Sequence, residues 1–145
     1  MLRVLETGPE RRAEVADFYR AEWPDKTPDP SDRVFIAEVD GRLVGAVRRC
    51  EEAGFCVLRS MRVTTELQRR GIGRRLLQEF ARALGERDCY LLGYSHLEGF
   101  YGSVGFARIP MTEVPPHLRQ RLQRYLDERP DVIPMRRAAS ASPAT

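Results

Sequence analysis

Apolar and polar positions change their period several times along this chain, and each change marks an element. Leu2 to Leu5 is a short apolar run that predicts a first strand. Pro9 then opens a segment in which Ala13, Ala16 (or Val15), Phe18, Tyr19 and Trp23 return at helical spacing. Pro24 to Pro30 holds three prolines in seven residues, which excludes a regular helix and predicts a rigid loop. Arg33 to Val39 alternates as a strand does, and Asp40-Gly41 is a strong turn into a second strand over Leu43 to Arg49. A further turn at Ala53-Gly54 leads into Phe55 to Val63, the longest strand candidate. Three antiparallel strands are therefore expected before residue 64.

The period then becomes helical. Ile72, Leu76, Leu77, Phe80 and Leu84 form one apolar face, and Gly85 ends the helix. Cys89 to Tyr94 predicts a buried strand. A strand–helix–strand crossover of this kind makes it parallel to the strand ending at Val63. Leu97 to Ser103 predicts a short helix stopped by Gly105, and Phe106 to Met111 a return to strand. Pro115 to Glu128 predicts a helix with Leu118, Leu122, Tyr125 and Leu126 on one side, followed by a last strand over Asp131 to Met135. Ala138 to Thr145 is small and polar, and a disordered tail is expected there, leaving residues 1–137 as a single domain. The architecture that follows is α/β (α+β): a mixed, mostly antiparallel sheet of about seven strands flanked by helices.

Composition narrows the class. At 145 residues, 42% apolar and 31% charged, the chain reads as a soluble globular domain able to bury a proper core. No apolar run is long enough to span a bilayer, and Met1-Leu-Arg-Val-Leu-Glu lacks the apolar region of a signal peptide. Three cysteines, Cys50, Cys56 and Cys89, are an odd number without a CxxC pair. Neither a disulfide framework nor a metal site is indicated, and buried thiols in a cytoplasmic protein are expected. The net charge of +3 rests on arginine, since lysine occurs once, at Lys26. Arg119, Arg121 and Arg124 alternate with apolar positions as a solvated helix face does, and no nucleic-acid module is present. An anionic small molecule is the expected partner, rather than nucleic acid or a membrane.

The candidate chemistry sits between the longest strand and the helix that follows. Met61, Arg62 and Val63 end the strand. Thr64 to Arg70 is polar, and Gly71-Ile72-Gly73 opens the helix. The first turn of a helix leaves backbone N–H groups without acceptors and carries a partial positive charge. Glycines let backbone approach a ligand closely, and Arg69, Arg70, Arg74 and Arg75 add charge around the turn. The alternative, a helix capped earlier by Thr65 and Gln68, would place two glycines inside it at roughly 1 kcal/mol each. A helix starting near Gly71, its head turned to a diphosphate, is the preferred reading.

With Val63 at the strand end, Gln68-Arg-Arg-Gly71-Ile-Gly73 resembles the acetyl-CoA-binding motif Gln/Arg-x-x-Gly-x-Gly/Ala of the GCN5-related N-acetyltransferase (GNAT) superfamily. Phe100-Tyr101-Gly102-Ser103-Val104-Gly105-Phe106 resembles that family's Phe-Tyr-x-x-x-Gly-Phe segment. The resemblance covers roughly Val34 to Phe106. It implies a GNAT-like fold whose two parallel central strands splay apart, and acetyl-CoA as co-substrate. Met61, Arg62 and Val63 would offer backbone to pantetheine. Gln68, Arg69, Arg70, Gly71, Ile72, Gly73 and Arg74 would hold the pyrophosphate.

The implied reaction is acetyl transfer to an amine, a small molecule or a peptide, by direct attack in a ternary complex, with Tyr101 as general acid. Backbone N–H groups between Met61 and Val63 would stabilise the oxyanion. Tyr101 also fits as an amphipathic residue packing with Phe100 and Phe106. The glutamate that many relatives carry on the central strand is absent from Leu58, Arg59, Ser60 and Met61, and Tyr94 stands at the frequent asparagine position. His96, Glu98, Glu22 or a water relayed by Ser60 are the candidate bases. A lower-pKa amine, such as an α-amino group near 8, would ease that demand. Arg59 and Arg62, three apart, face opposite sides of a strand unless a bulge intervenes; either one of them reaches the acceptor and favours a carboxylate-bearing substrate, or each is an exposed sheet-face arginine. Trp23 and Phe18 line the acceptor side or pack the helix core. Rival readings are a non-catalytic acyl-CoA-binding regulatory module and a basic RNA-associated protein; monomer and homodimer both remain open.

Overall fold

The computed structural model describes residues 1–23 and 29–139. Most of the expected proline-rich loop, and residues 140–145 of the expected tail, lie outside the described residues. Seven strands form one mixed sheet in the order β1-β2-β3-β4-β5-β7-β6. The chain packs into two compact units, Met1–Cys50 with Leu58–Ala83, and Glu51–Val57 with Leu84–Thr145.

In the first unit, β1 (Leu2–Glu6) pairs antiparallel with β2 (Arg33–Val39), from Leu2 beside Val39 to Glu6 beside Phe35. β2 pairs antiparallel with β3 (Arg42–Glu52), with a register shift between Ala37 and Glu38. Asp40 and Gly41 both adopt positive φ, 51° and 86°, as the two-residue hairpin turn requires. β2 is apolar at nearly every position because both of its faces are covered. Val34 and Ile36 pack with Val15, Phe18 and Tyr19 of α1 (Arg12–Glu22). Phe35, between them, turns the other way and meets Phe80 of α2 (Ile72–Leu84) edge to face at 5.4 Å. The predicted apolar face of α2 is buried at all five positions. Gly85 closes the helix at φ 59°. Two charged groups are buried as pairs: Glu38 with Arg11 at 2.5 Å and Arg3 at 3.2 Å, and Asp32 with Arg48 at 3.0 Å.

The second unit contains the start of β4 (Phe55–Val63), entered through Ala53 and Gly54, again both at positive φ. It continues with β5 (Cys89–Tyr94), α3 (Glu98–Gly102), β6 (Ala107–Arg108), α4 (Pro116–Glu128) and β7 (Val132–Arg137). β5 lies parallel to β4 with Val57 beside Tyr90, the one parallel pair expected from the crossover. β7 runs antiparallel to β5, from Cys89 beside Arg137 to Tyr94 beside Val132. Val57 and Tyr90 pack with Val114 and with Leu118 of α4.

Departures from the expected elements are local. α1 is preceded by a 3₁₀ turn at Pro9–Arg11, and α3 by another at Ser95–Leu97. The strand expected over Phe106 to Met111 shrinks to Ala107–Arg108, since it is the sheet's outer strand and Pro110 cannot donate to a ladder. β7 runs two residues beyond Met135, because both Arg136 and Arg137 find partners on β5. Tyr125 and Leu126 of α4 are only half-buried. Cys50, Cys56 and Cys89 are buried thiols. Among the described residues no helix is long and apolar enough to cross a membrane.

Candidate functional site

In the first unit, the end of β4 is fixed on one edge by β3. The Thr64 amide donates to the Val44 carbonyl at 2.8 Å. Gly45 lets β3 approach, since a Cβ there would stand 3.3 Å from the Arg62 carbonyl oxygen. Val63, one residue along, turns its backbone edge the opposite way, as strand geometry demands. Its carbonyl accepts a 2.9 Å hydrogen bond from the Gln68 side-chain amide. The loop is thus tied back to the strand it leaves.

The helix head follows. A single 3₁₀ turn at Thr65–Leu67 takes the place of a longer helix, and α2 starts at Ile72. Arg69 and Gly71 adopt positive φ, 66° and 82°. The Gly71 carbonyl accepts from the Arg75 amide at 3.1 Å, so Gly71 is the residue from which the helix springs. Helix geometry leaves the amides of Ile72, Gly73 and Arg74 without intrahelical acceptors. Nothing stands within 4 Å of where a Gly71 Cβ would lie. Arg69, Arg70, Arg74 and Arg75 are exposed around this turn, Gly73 is half-buried, and Ile72 is buried as the anchor. An open backbone turn ringed by guanidiniums is chemically suited to an anion with several oxygens.

β4 itself is irregular. Ser60 sits at φ 56°, a left-handed conformation that non-glycine residues seldom take. Its carbonyl accepts the Tyr19 hydroxyl at 2.8 Å. Met61 is half-buried. The Arg62 side chain does not stay with the loop: its Nε donates to Glu22 Oε1 at 2.9 Å, its Nη2 lies 3.5 Å from Thr65 Oγ1, and its guanidinium lies 5.3 Å over the Trp23 ring. Trp23 stacks on Tyr19 at 6.4 Å, whereas Phe18 is in the helix core. Glu22, one of the candidate bases, therefore has an oxygen committed to Arg62. Burial pushes the Tyr19 hydroxyl well above the usual phenol value, with Arg48 opposing and Cys50 and Asp32 adding to the rise. Burial likewise pushes the Cys50 thiol up to about 12, where Arg48 and Arg59 oppose and Asp32 adds.

In the second unit, Tyr101 is buried in α3, edge to face with Phe100 at 5.1 Å and Phe106 at 6.2 Å. Its carbonyl takes the amides of Val104 and Phe106, each at 3.3 Å. Burial alone pushes its phenol up to about 12, and among the described residues the hydroxyl has no hydrogen-bond partner. The residue that makes room for the ring is Gly93 of β5: a Cβ there would stand 3.2 Å from Tyr101 Cε2 and 3.1 Å from Leu91 Cδ1. Sequence reasoning singled out neither Gly93 nor Gly45, although a glycine inside a strand pattern is a signal for close approach. His96 is exposed and stacks on Tyr94 at 5.7 Å, and Glu98 is exposed in the first turn of α3. Cys56 and Cys89 face each other at 3.5 Å between Sγ atoms, both buried.

Comparison with known proteins bears on the family and the fold that carry these residues. The sequence profile of the "Acetyltransferase (GNAT) domain" matches residues 30–108. No curated protein matches by sequence. Among solved structures, Escherichia coli ElaA superposes with a TM-score of 0.68 at 18% identity, over 94% of this chain and 98% of that one. Arabidopsis thaliana Naa50, solved with the bisubstrate analogue CoA-Ac-MVNAL, gives 0.66 at 14% identity over 94% and 98%. N-acetylglutamate synthase from Neisseria gonorrhoeae, solved with coenzyme A and N-acetyl-glutamate, gives 0.64 at 18% identity over 94% of this chain and 35% of that one.

Proposed function

Since the chain belongs to the GNAT family of acetyltransferases, we propose that it transfers the acetyl group of acetyl-CoA to an amine, a small molecule or a peptide, by direct attack in a ternary complex. The observation that carries this reading is the head of α2. Free amides at Ile72, Gly73 and Arg74, a glycine turn without side-chain obstruction, and Arg69, Arg70, Arg74 and Arg75 around it are what a pyrophosphate needs. Two of the structures similar in fold were solved with coenzyme A or a CoA-linked analogue. Acetyl-CoA enters as co-substrate. Met61, Arg62 and Val63 present backbone to its pantetheine arm, Gln68 keeps that strand end in place, and the loop from Arg69 to Arg74 holds the diphosphate. An N–H of the Met61–Val63 stretch receives the oxyanion.

Tyr101 is the group that serves the departing thiolate. Its phenol, near 12, stays protonated throughout the working range. A thiol of about 8.5 is the stronger acid, so full proton transfer to sulfur is uphill by about 5 kcal/mol. Tyr101 therefore acts first as a hydrogen-bond donor to sulfur as charge builds, and the proton passes as CoA leaves. A direct mechanism needs no thiol nucleophile, consistent with three buried cysteines. Tyr101→Phe keeps the ring and removes the proton. Turnover is expected to fall tenfold or more, with acetyl-CoA affinity by calorimetry close to unchanged. Undiminished turnover in that variant would take Tyr101 out of the mechanism. Absence of acetyl-CoA binding to the folded protein would end the whole reading.

A further inference from the structure

Building on the acetyltransferase reading, we propose that Tyr19 of α1 is a positioning residue for the transfer: its hydrogen bond to the Ser60 carbonyl aims the Met61 N–H, which is the donor that meets the oxyanion. Among the described non-glycine residues at positive φ, Asp40 and Ala53 lead into the Gly41 and Gly54 turns, and Arg69 lies in the loop ahead of α2. Ser60, at φ 56°, stands inside a strand instead. A serine gains nothing locally from that conformation, and it persists only where the surroundings hold it. The holding group comes from 41 positions away, the Tyr19 hydroxyl donating to the Ser60 carbonyl at 2.8 Å. Both residues belong to the first unit.

Tyr19 is placed to impose that geometry. It is fully buried, edge to face with Phe18 at 5.6 Å and stacked on Trp23 at 6.4 Å, so the ring does not swing to follow the strand. A second tie from the same end of α1 lies two residues along β4. There Arg62 Nε donates to Glu22 Oε1 at 2.9 Å, and the guanidinium lies over Trp23. Met61 is the residue between the two ties. Its N–H and the Ser60 carbonyl are opposite ends of one planar trans peptide, so fixing the oxygen fixes the hydrogen that points away from it. The Thr64 amide is given to Val44 of β3, and strand alternation turns Met61, like Val63, toward the other edge. A hydrogen bond accepted at the carbonyl also polarises the peptide and strengthens its N–H as a donor.

The test is Tyr19→Phe, which keeps the ring and removes the hydroxyl, made in the parent protein and in Ser60→Gly. Thiol release is followed with acetyl-CoA and a panel of L-amino acids, short peptides and polyamines. For the amine that reacts best, kcat is expected to fall about tenfold, with KM and the calorimetric affinity for CoA within about twofold, because an aimed donor counts once charge has built on oxygen. A second readout is the infrared carbonyl band of bound acetyl-CoA, isotope-labelled at the thioester carbon. It should move to higher frequency in Tyr19→Phe, as the hydrogen bond to that carbonyl weakens. Glycine takes positive φ without a Cβ penalty, so in Ser60→Gly the same tyrosine change should cost clearly less, whatever Ser60→Gly does alone. That background also carries the measurement if Tyr19→Phe by itself is too unstable to purify; a fall in kcat and a band shift, both smaller, are expected there. Unchanged kcat, or a fall in kcat with the band unmoved, would overturn the positioning role. Equal losses in the two backgrounds would do the same and leave Tyr19 a packing residue of α1. In each of those cases the parent still turns over and the acetyltransferase reading stands. If the parent binds acetyl-CoA but acetylates no amine of the panel, the transfer reading falls and takes this inference with it.

Discussion

At the scale of single residues, the pairing of Gly93 with Tyr101 is the most exacting contact of the second unit. A methyl group at Gly93 meets Tyr101 Cε2 at 3.2 Å and Leu91 Cδ1 at 3.1 Å, both closer than ordinary van der Waals contact. One of the two side chains has to give by a few tenths of an ångström. Overpacking of this kind costs about 1–3 kcal/mol, and here part of the cost falls on the orientation of the proposed proton donor. Gly93→Ala is expected to lower the melting temperature by a few degrees and turnover by several-fold. In a Tyr101→Phe background the same change should cost almost no further activity, because the phenol through which it acts is already gone. Equal losses of turnover in both backgrounds would mean that Gly93 does not act through Tyr101.

At the scale of elements, the strand and helix boundaries followed closely from apolar periodicity and turn chemistry. β2, β4 and β5 begin and end where Arg33, Val39, Phe55, Val63, Cys89 and Tyr94 placed them. The reason is that each is bounded by residues needing positive φ or by a polar break, and both are visible in sequence. The left-handed backbone at Ser60, φ 56°, was not visible. No residue between Leu58 and Arg62 demands it; it is held by a long-range partner, the Tyr19 hydroxyl on the Ser60 carbonyl. The recruitment of Glu22 by Arg62 was hidden for the same reason. The helix head, by contrast, could be read from Gly71 and Gly73. At Gly71 the demand is conformational: φ is 82°, and the space for a Cβ is empty. Gly71→Ala should therefore cost roughly 1–2 kcal/mol through the left-handed backbone alone. If the amides it aims hold the diphosphate, affinity for CoA should fall, while affinity for pantetheine, which lacks the diphosphate, should hold. A parallel loss for both ligands would place the diphosphate elsewhere.

For the molecule as a whole, stability should be more sensitive to alkali than to mild acid. On the acid side, the Arg33 guanidinium holds the Glu6 carboxyl below its ordinary value of 4.5, and Arg136, with the Ala139 amide, does the same for Asp88 below 3.8. Groups lowered in the folded state contribute stability above their unfolded values and lose it as pH drops through the folded ones, so this loss sets in near pH 4.5 and continues as pH falls below it. On the alkaline side the sign reverses. Cys50 in the first unit and Tyr101 in the second are both raised to about 12 by burial. The unfolded chain begins to release these protons at its ordinary values of 9.0 and 10.0, while the folded chain still holds them. Their stabilisation is therefore complete below about pH 9 and erodes toward pH 12. Between pH 8 and pH 11 the erosion should be on the order of 1 kcal/mol for Tyr101 and roughly 2–3 kcal/mol for Cys50. Urea unfolding at the two pH values measures the difference directly, and arginine effects common to every variant cancel. Tyr101→Phe and Cys50→Ala should each flatten the alkaline fall by its own share, whatever either does to stability at pH 8. An unchanged pH 8-to-11 loss in both would mean that these groups ionise as freely in the folded chain as in the unfolded one, and that burial does not hold their protons.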